Sequence, residues 1–416
     1  ILLVLSLMLA LVPAAFAADI ASGTCGAEGD GSNVIWTLDE TGLLTISGTG
    51  KIASGTGGSI WSDKPVLAVD IRSGVTGVGK DAFYGCDDLQ VISLPDTVTQ
   101  LDDNAFGNCP ALSDILVDAK NPAYKSVDGA LYSKDGTVLV KGPANAEAFV
   151  VPDGVTTIGS YAFFGAKSLK NIYFPEDSLT TIGAMAFEFC EGLTELLLPA
   201  GVTEIAPYAF YMNTQVTSVT MFDSVVAIGA HAFENCTALQ TLYIGENVGM
   251  IGDSAFRGCA RIETLRFDAA QCDSYPSDGG AFAGLTRLTA LTIGDNVSVL
   301  QDGMFEGCTA LKTVALPGTL KNIPAALFRG CTALSDVTIG EGPKTVKDAA
   351  FAGCFSLRSV ALPKTVKTIF KEAFRDTGLV RLVLPAVATI QQNAFYGCSS
   401  LVSVEIGKPD KGTVSI

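Results

Sequence analysis

Between Leu239 and Cys259 the chain reads Leu-x-x-Leu-x-Ile-x-x-x-Val-x-x-Ile-x-x-x-Ala-Phe-x-x-Cys, and from Val66 onward the same arrangement of apolar and polar positions keeps returning. Its opening alternates apolar with polar residues, as a short strand does when it turns one side inward. A proline often follows, at Pro95, Pro175, Pro199, Pro317, Pro363 and Pro385. Lacking an amide hydrogen, it ends the strand. A second apolar pair comes next (Val98 and Leu101, Val202 and Ile205, Val248 and Ile251) and predicts a second wall opposite the first. An Ala-Phe pair then closes the turn, with Met304 and Leu327 replacing the Ala twice.

The marker phenylalanine falls at Phe83, Phe106, Phe163, Phe187, Phe210, Phe233, Phe256, Phe282, Phe305, Phe328, Phe351, Phe374 and Phe395. Most steps are 23 residues, a few are 21, 24 or 26, and one is 57. A period in the twenties predicts a leucine-rich repeat solenoid. The expected form is a β-rich right-handed superhelix with a parallel concave sheet and short convex elements. Each coil buries itself against its neighbours, so 416 residues that are 48% hydrophobic fit one elongated array. The marker ring reads as structural, since burying one Phe is worth roughly 1.5–3 kcal/mol.

Three residues after the marker stand Cys86, Cys109, Cys190, Cys236, Cys259, Cys308, Cys331, Cys354 and Cys398, nine of the chain's 11 cysteines. Ala166, Asn213, Leu285 and Thr377 fill the same slot elsewhere, which favours a column of buried thiols. Disulfides stay open on distance, because stacked strands lie only ~5 Å apart. Cys25 and Cys272 stand outside the column. No clustered Cys or His pairs occur at zinc-binding spacing, so no metal or other cofactor is expected.

The ends and one interruption depart from the period. Ile1 to Val12 is apolar apart from Ser6, and Ala15-Phe16-Ala17 follows, so residues 1–17 read as a secretory signal peptide clipped at its start. Residues 18–65 read as an N-terminal β-hairpin cap: Val34 to Leu38 and Leu43 to Ser47 flank Asp39-Glu40-Thr41-Gly42. Such a lid covers the first coil of the array assigned to residues 66–416. Within that array, residues from about 118 to 148 form an insert, and Asp135-Gly136 marks a hairpin turn there. Asp268 to Gly280 stretches one coil and reads as a surface loop. The array reaches Ile416 without a closing lid, and an uncovered last coil would leave an exposed sheet edge. More sequence is therefore expected beyond it.

The repeat unit, together with Asn121-Pro122-x-Tyr124 and Asp128-Gly129-x-Leu131-Tyr132, resembles the BspA-like leucine-rich repeat family of bacterial surface proteins. The opening Ser22-Gly23-Thr24-Cys25-Gly26, with Trp36-Thr37-Leu38 and Thr45-Ile46-Ser47-Gly48, is similar to the segment that often precedes those repeats. The resemblance implies an exported adhesin or surface module, in a family with some members implicated in binding host matrix glycoproteins.

Composition and motifs narrow the remaining chemistry. With 27 basic and 43 acidic residues the net charge is −16 and the pI about 4.5, which disfavours nucleic acid and anionic membranes as partners. No segment after the leader is long and apolar enough for membrane insertion. Gly74-Val-Thr-Gly77-Val-Gly79-Lys80 mimics a phosphate loop, but Asp81 stands where Ser or Thr should bind magnesium. His231 is the only histidine and sits in a variable slot two residues before Phe233. Scattered acids such as Asp102-Asp103 and Glu246 make no defensible glycosidase pair. Asn235-Cys236-Thr237 matches a glycosylation sequon at a turn expected to be buried. No catalytic residues are assigned, and an enzyme is not expected.

The outward strand position holds Ser93, Leu116, Tyr173, Leu197, Thr220, Tyr243, Arg266, Thr292, Ala315, Thr338, Ala361, Val383 and Glu405 in successive coils. Stacked about 4.8 Å apart, these form a stripe on the order of 60 Å long on the concave sheet. Tyr173, Leu197, Tyr243 and Arg266 are the candidate ligand-binding residues, Tyr and Arg being enriched at interfaces. The expected function is an exported, non-enzymatic adhesion or protein-binding scaffold, extracellular or on the cell surface. Its expected partner is a protein or glycoprotein, host extracellular matrix included. A recognition arm for glycan on a larger surface enzyme, or a structural spacer, are the alternative readings.

Overall fold

A computed structural model describes residues 17–56, 59–272, 280–384, 387 and 389–406. The leader (except Ala17), most of the Asp268–Gly280 loop and the last ten residues lie outside the described residues. The structure is a parallel β-solenoid in which no described residue is helical. It divides into two compact units, one running to Gly136 with Lys141–Asn145 added, the other holding Thr137–Val140 and everything from Ala146.

In the first unit, Asp19–Thr24, Val34–Asp39 and Leu43–Gly48 pair antiparallel in that order. The first of these strands carries no strong sequence signal and was not expected. Asp39 shapes the hairpin turn by accepting hydrogen bonds from the Thr41 and Leu43 amides at 2.9 and 3.0 Å. The sheet then turns parallel through Ala68–Ile71, Val91–Leu94 and Asp114–Val117. An aromatic column starts where Trp36 meets Trp61 edge-on at 6.2 Å, and Trp61 stacks on Phe83 at 4.9 Å. In the insert, Tyr124–Val127 and Ala130–Ser133 form a hairpin around Asp128-Gly129, both at positive φ. That is the geometry of a two-residue type I′ turn. Asp135-Gly136 makes the tight turn that follows, closed by the Gly136 amide on the Ser133 carbonyl at 2.9 Å. Asn121 is fully buried and fully satisfied, donating to Pro95 and Val98 carbonyls and accepting from the Ala123 and Tyr124 amides. The Asn-Pro-x-Tyr motif is thus structural.

In the second unit the coils build two walls, and between Ile251 and Thr345 the described residues supply the narrower one with only an isolated bridge at Ile323. The wider wall begins with Asn171–Tyr173, paired to Ala148–Val150, and continues as a five-stranded sheet of Glu195–Leu197, Ser218–Thr220, Thr241–Ile244, Thr264–Phe267 and Ala290–Ile293, with residues alternately exposed and buried. The narrower sheet is built from two-residue strands such as Thr181–Ile182, Glu204–Ile205 and Ala227–Ile228, with the Ile inward. These strands are the short elements expected opposite the main sheet. Between the walls runs the Phe column. From Phe163 to Phe395 successive ring centroids lie 5.1 to 6.0 Å apart, mostly stacked, and all but Phe395 are buried.

The Ala-Phe turn has its own ladder. The marker amide donates to the Ala carbonyl of the next coil, as Phe187 does to Ala209 and Phe210 to Ala232, both at 2.8 Å. The residues two before and two after the marker bond forward as well: Tyr208 to Ala230 and Met212 to Glu234, both at 2.9 Å. Both flanking positions have positive φ, for example Tyr208 at 59° and Met212 at 61°. A left-handed residue on each side of the turn lets alternate amides point along the stack. Gly229 and Gly252 precede these turns because the neighbouring coil's backbone passes 2.4 and 2.3 Å from where a Cβ would stand.

The cysteine column also has a polar task. No disulfide forms among the described residues. Instead the thiols of Cys236, Cys259, Cys331 and Cys354 donate to the marker carbonyl of the preceding coil at 3.1 to 3.3 Å. Where Asn213 replaces Cys, its amide donates to the Phe187 carbonyl at 2.8 Å. The slot therefore selects a small hydrogen-bond donor in these coils, beyond the small size read from the sequence. Burial pushes the Cys86 thiol up to about 11.

Candidate functional site

The outward strand positions line up as the period requires. Val150 pairs with Tyr173, Leu197 with Thr220, Tyr243 with Arg266 and Arg266 with Thr292. Further along, Ala315 pairs with Thr338, and Ala361 with Val383, which pairs in turn with Glu405. The inward neighbours of these residues (Ile172, Leu196, Leu242, Leu265) are buried and fix which way the strand faces.

The four candidate residues fall into two groups. Tyr173 and Leu197 are open to solvent, at 56% and 64% exposure, beside Val150 at 68%. Val150 escapes the sequence pattern because it directly follows the insert, before the period resumes. Tyr243 and Arg266 are engaged with each other and with two acids. The Tyr243 hydroxyl donates to Asp223 Oδ1 at 2.6 Å, and the Arg266 guanidinium carbon sits 5.6 Å from the Tyr243 ring centroid. Arg266 Nε donates to Asp268 Oδ2 at 2.6 Å. Burial and the Asp223 carboxylate both raise the Tyr243 pKa, so the phenol stays protonated, while Asp268 raises that of Arg266. The sequence pattern does not mark Asp223 or Asp268 as partners of this pair, because each lies beyond the end of its strand, outside the outward stripe.

This face joins an apolar patch to a rigid aromatic-cationic pair on main-chain-bonded strands. It can bury aliphatic and aromatic groups and offer a guanidinium to an acceptor. His231 lies elsewhere, on the Ala-Phe turn, with Nδ1 2.5 Å from Glu234 and its ring stacked on Tyr208 at 4.4 Å. Asn235 of the sequon is half-buried at positive φ, more open than the buried turn expected for it. Among the described residues no group of three His, Cys, Asp or Glu could hold a metal ion. No helix among them is long and apolar enough to cross a membrane.

Coils stacked on a shared core, with an open sheet face and variable side chains along it, define a leucine-rich repeat scaffold, a class whose broad faces bind other proteins. The chain belongs to the BspA-type leucine-rich repeat family, whose model matches residues 59–127, 141–263 and 278–402. Similar solved structures include a leucine-rich repeat protein of Bacteroides ovatus, 26% identical, covering 90% of this chain and 89% of that one with a TM-score of 0.52. Another is a leucine rich cell surface protein of Faecalibacterium prausnitzii, 26% identical over 93% of this chain and 96% of that one, with a TM-score of 0.41. No curated protein matches the chain in sequence.

Proposed function

We propose that the protein is exported and acts at the cell surface or outside the cell as an adhesion scaffold. A protein or glycoprotein ligand, such as one of the host extracellular matrix, docks on the wider sheet around Tyr173 and Leu197. The observation that carries this reading is the row of Val150, Tyr173 and Leu197, each more than half exposed. Large apolar side chains held open on a rigid sheet mark interaction sites when they cluster. Tyr243 and Arg266, two types common among interface hot spots, extend the row. The apolar leader at residues 1–17 supports export, and residues 18–65 serve as a lid on the array at 66–416.

The test is binding to a panel of purified extracellular-matrix glycoproteins by surface plasmon resonance. A Tyr173→Ser/Leu197→Ser variant should lose at least tenfold in affinity while its circular dichroism spectrum stays unchanged. Unaltered binding by that folded variant would rule out this face as the docking surface.

A further inference from the structure

The Ala-Phe turns of four consecutive coils carry side chains that the stack itself does not require. At the two left-handed positions other coils place Asn, Asp, Ser, Ala, Gly or, once, Glu372, but here stand Tyr161, Met185, Phe189, Tyr208, Met212 and His231, with φ between 55° and 61°. Bulky residues are disfavoured in that conformation. The rings make one continuous cluster. Tyr161 meets Phe164 at 5.8 Å, Phe164 meets Phe189 at 5.7 Å, Phe189 meets Tyr211 at 5.8 Å and Tyr211 meets Tyr208 at 5.5 Å.

A carboxylate lies in the row between Phe164 and Tyr211. Glu188 is 8% exposed, and its Oε2 is buried with no hydrogen-bond partner. A charged oxygen in that setting is costly unless a cation joins it. The same column shows how this protein satisfies such an acid elsewhere: Glu306 accepts from Arg329 Nε of the next coil at 2.7 Å. The next coil after Glu188 offers Tyr211 at that position, and no Lys or Arg occupies the turn segments 161–165, 185–189, 208–212 or 231–235. Glu234, the other acid of the cluster, is engaged with His231.

We propose that this turn face is a second docking site, which takes a lysine or arginine side chain of a partner protein against the rings of Phe189, Tyr208 and Tyr211, with Glu188 as its counter-ion. Ring faces attract cations, most strongly where water is excluded, and the enclosed carboxylate supplies the charge that fixes specificity. The site is separate from the row at Tyr173 and Leu197, so a partner could be held on two sides of the coil.

The probe is an acetylated, amidated tetralysine peptide titrated calorimetrically into the full chain at low salt. Glu188→Gln should weaken binding at least tenfold. Glu204→Gln, which removes the same charge from an exposed strand position, should change it less than twofold. Tyr208→Asn keeps a residue type that tolerates the left-handed backbone and should weaken binding about fivefold through the lost ring. Circular dichroism confirms the fold of each variant. The proposal is overturned if the peptide does not bind, or if Glu188→Gln and Glu204→Gln act alike, which would mean non-specific attraction to an acidic protein. It is equally overturned if a neutral oligosaccharide binds the face and Glu188→Gln leaves that binding intact.

Discussion

Replacing Glu188 by Gln removes a titrating group from a place where burial drives its carboxyl up to about 7 from an ordinary 4.5. Between those two values the native protein holds a proton that the unfolded chain has released, so stability falls as pH rises through that window. Above pH 7 the full difference is in force. About 2.5 pKa units at 1.36 kcal/mol each make the ionised group cost about 3 kcal/mol at pH 8. At pH 5 the cost drops below about 1 kcal/mol. A buried Gln amide brings its own desolvation penalty of about 1–3 kcal/mol, but that penalty does not vary with pH. The informative quantity is therefore the change in the mutational effect between the two pH values. Urea unfolding of both proteins at pH 5 and pH 8 should show Glu188→Gln gaining about 2–3 kcal/mol relative to wild type over that interval. Native-state hydrogen exchange should localise the gain to coils 161–235. A pH-independent mutational effect, or a Glu188 carboxyl titrating near 4.5 by NMR, would mean that the fold does not desolvate this carboxyl.

Three further expectations concern the stack. Phe210→Ala removes a ring in contact at 5.2 Å with its neighbours on both sides, and should cost about 3–5 kcal/mol by urea denaturation with early exchange of the flanking coils. In the cysteine column, Cys236→Ala should cost about 1 kcal/mol more than Cys236→Ser, because Ser can still donate to the Phe210 carbonyl. A thiol reagent applied to the native protein should modify half-buried Cys398 before any buried column member, as mass spectrometry of the labelled protein would show.

The repeat, the inward residues and the outward stripe were legible because each rests on period alone. Once Leu242 and Ile244 point inward, Tyr243 must point out, and the 23-residue step sets Arg266 beside it. What escaped depends on contacts that period does not encode. Glu188 shares its column with charged residues such as Arg257, which is exposed, and Glu306, which is paired, and nothing in the period separates the buried acid from these. His231 stood in a slot that looked freely variable, although its backbone is left-handed and its ring stacks on Tyr208. Asn213 did carry a readable signal, since an amide among cysteines implies a shared donor role. The hairpin turn at Asp128-Gly129 was equally present as an Asp-Gly pair, overshadowed by a second one at Asp135-Gly136.

The forward bonds of the Ala-Phe turn run from amide to carbonyl and draw on no side chain. Surface positions there can consequently be rewritten by mutation while the coils keep their grip on one another. A lineage could trade one ligand for another, or add a coil by duplicating a single 23-residue segment, without first redesigning its framework.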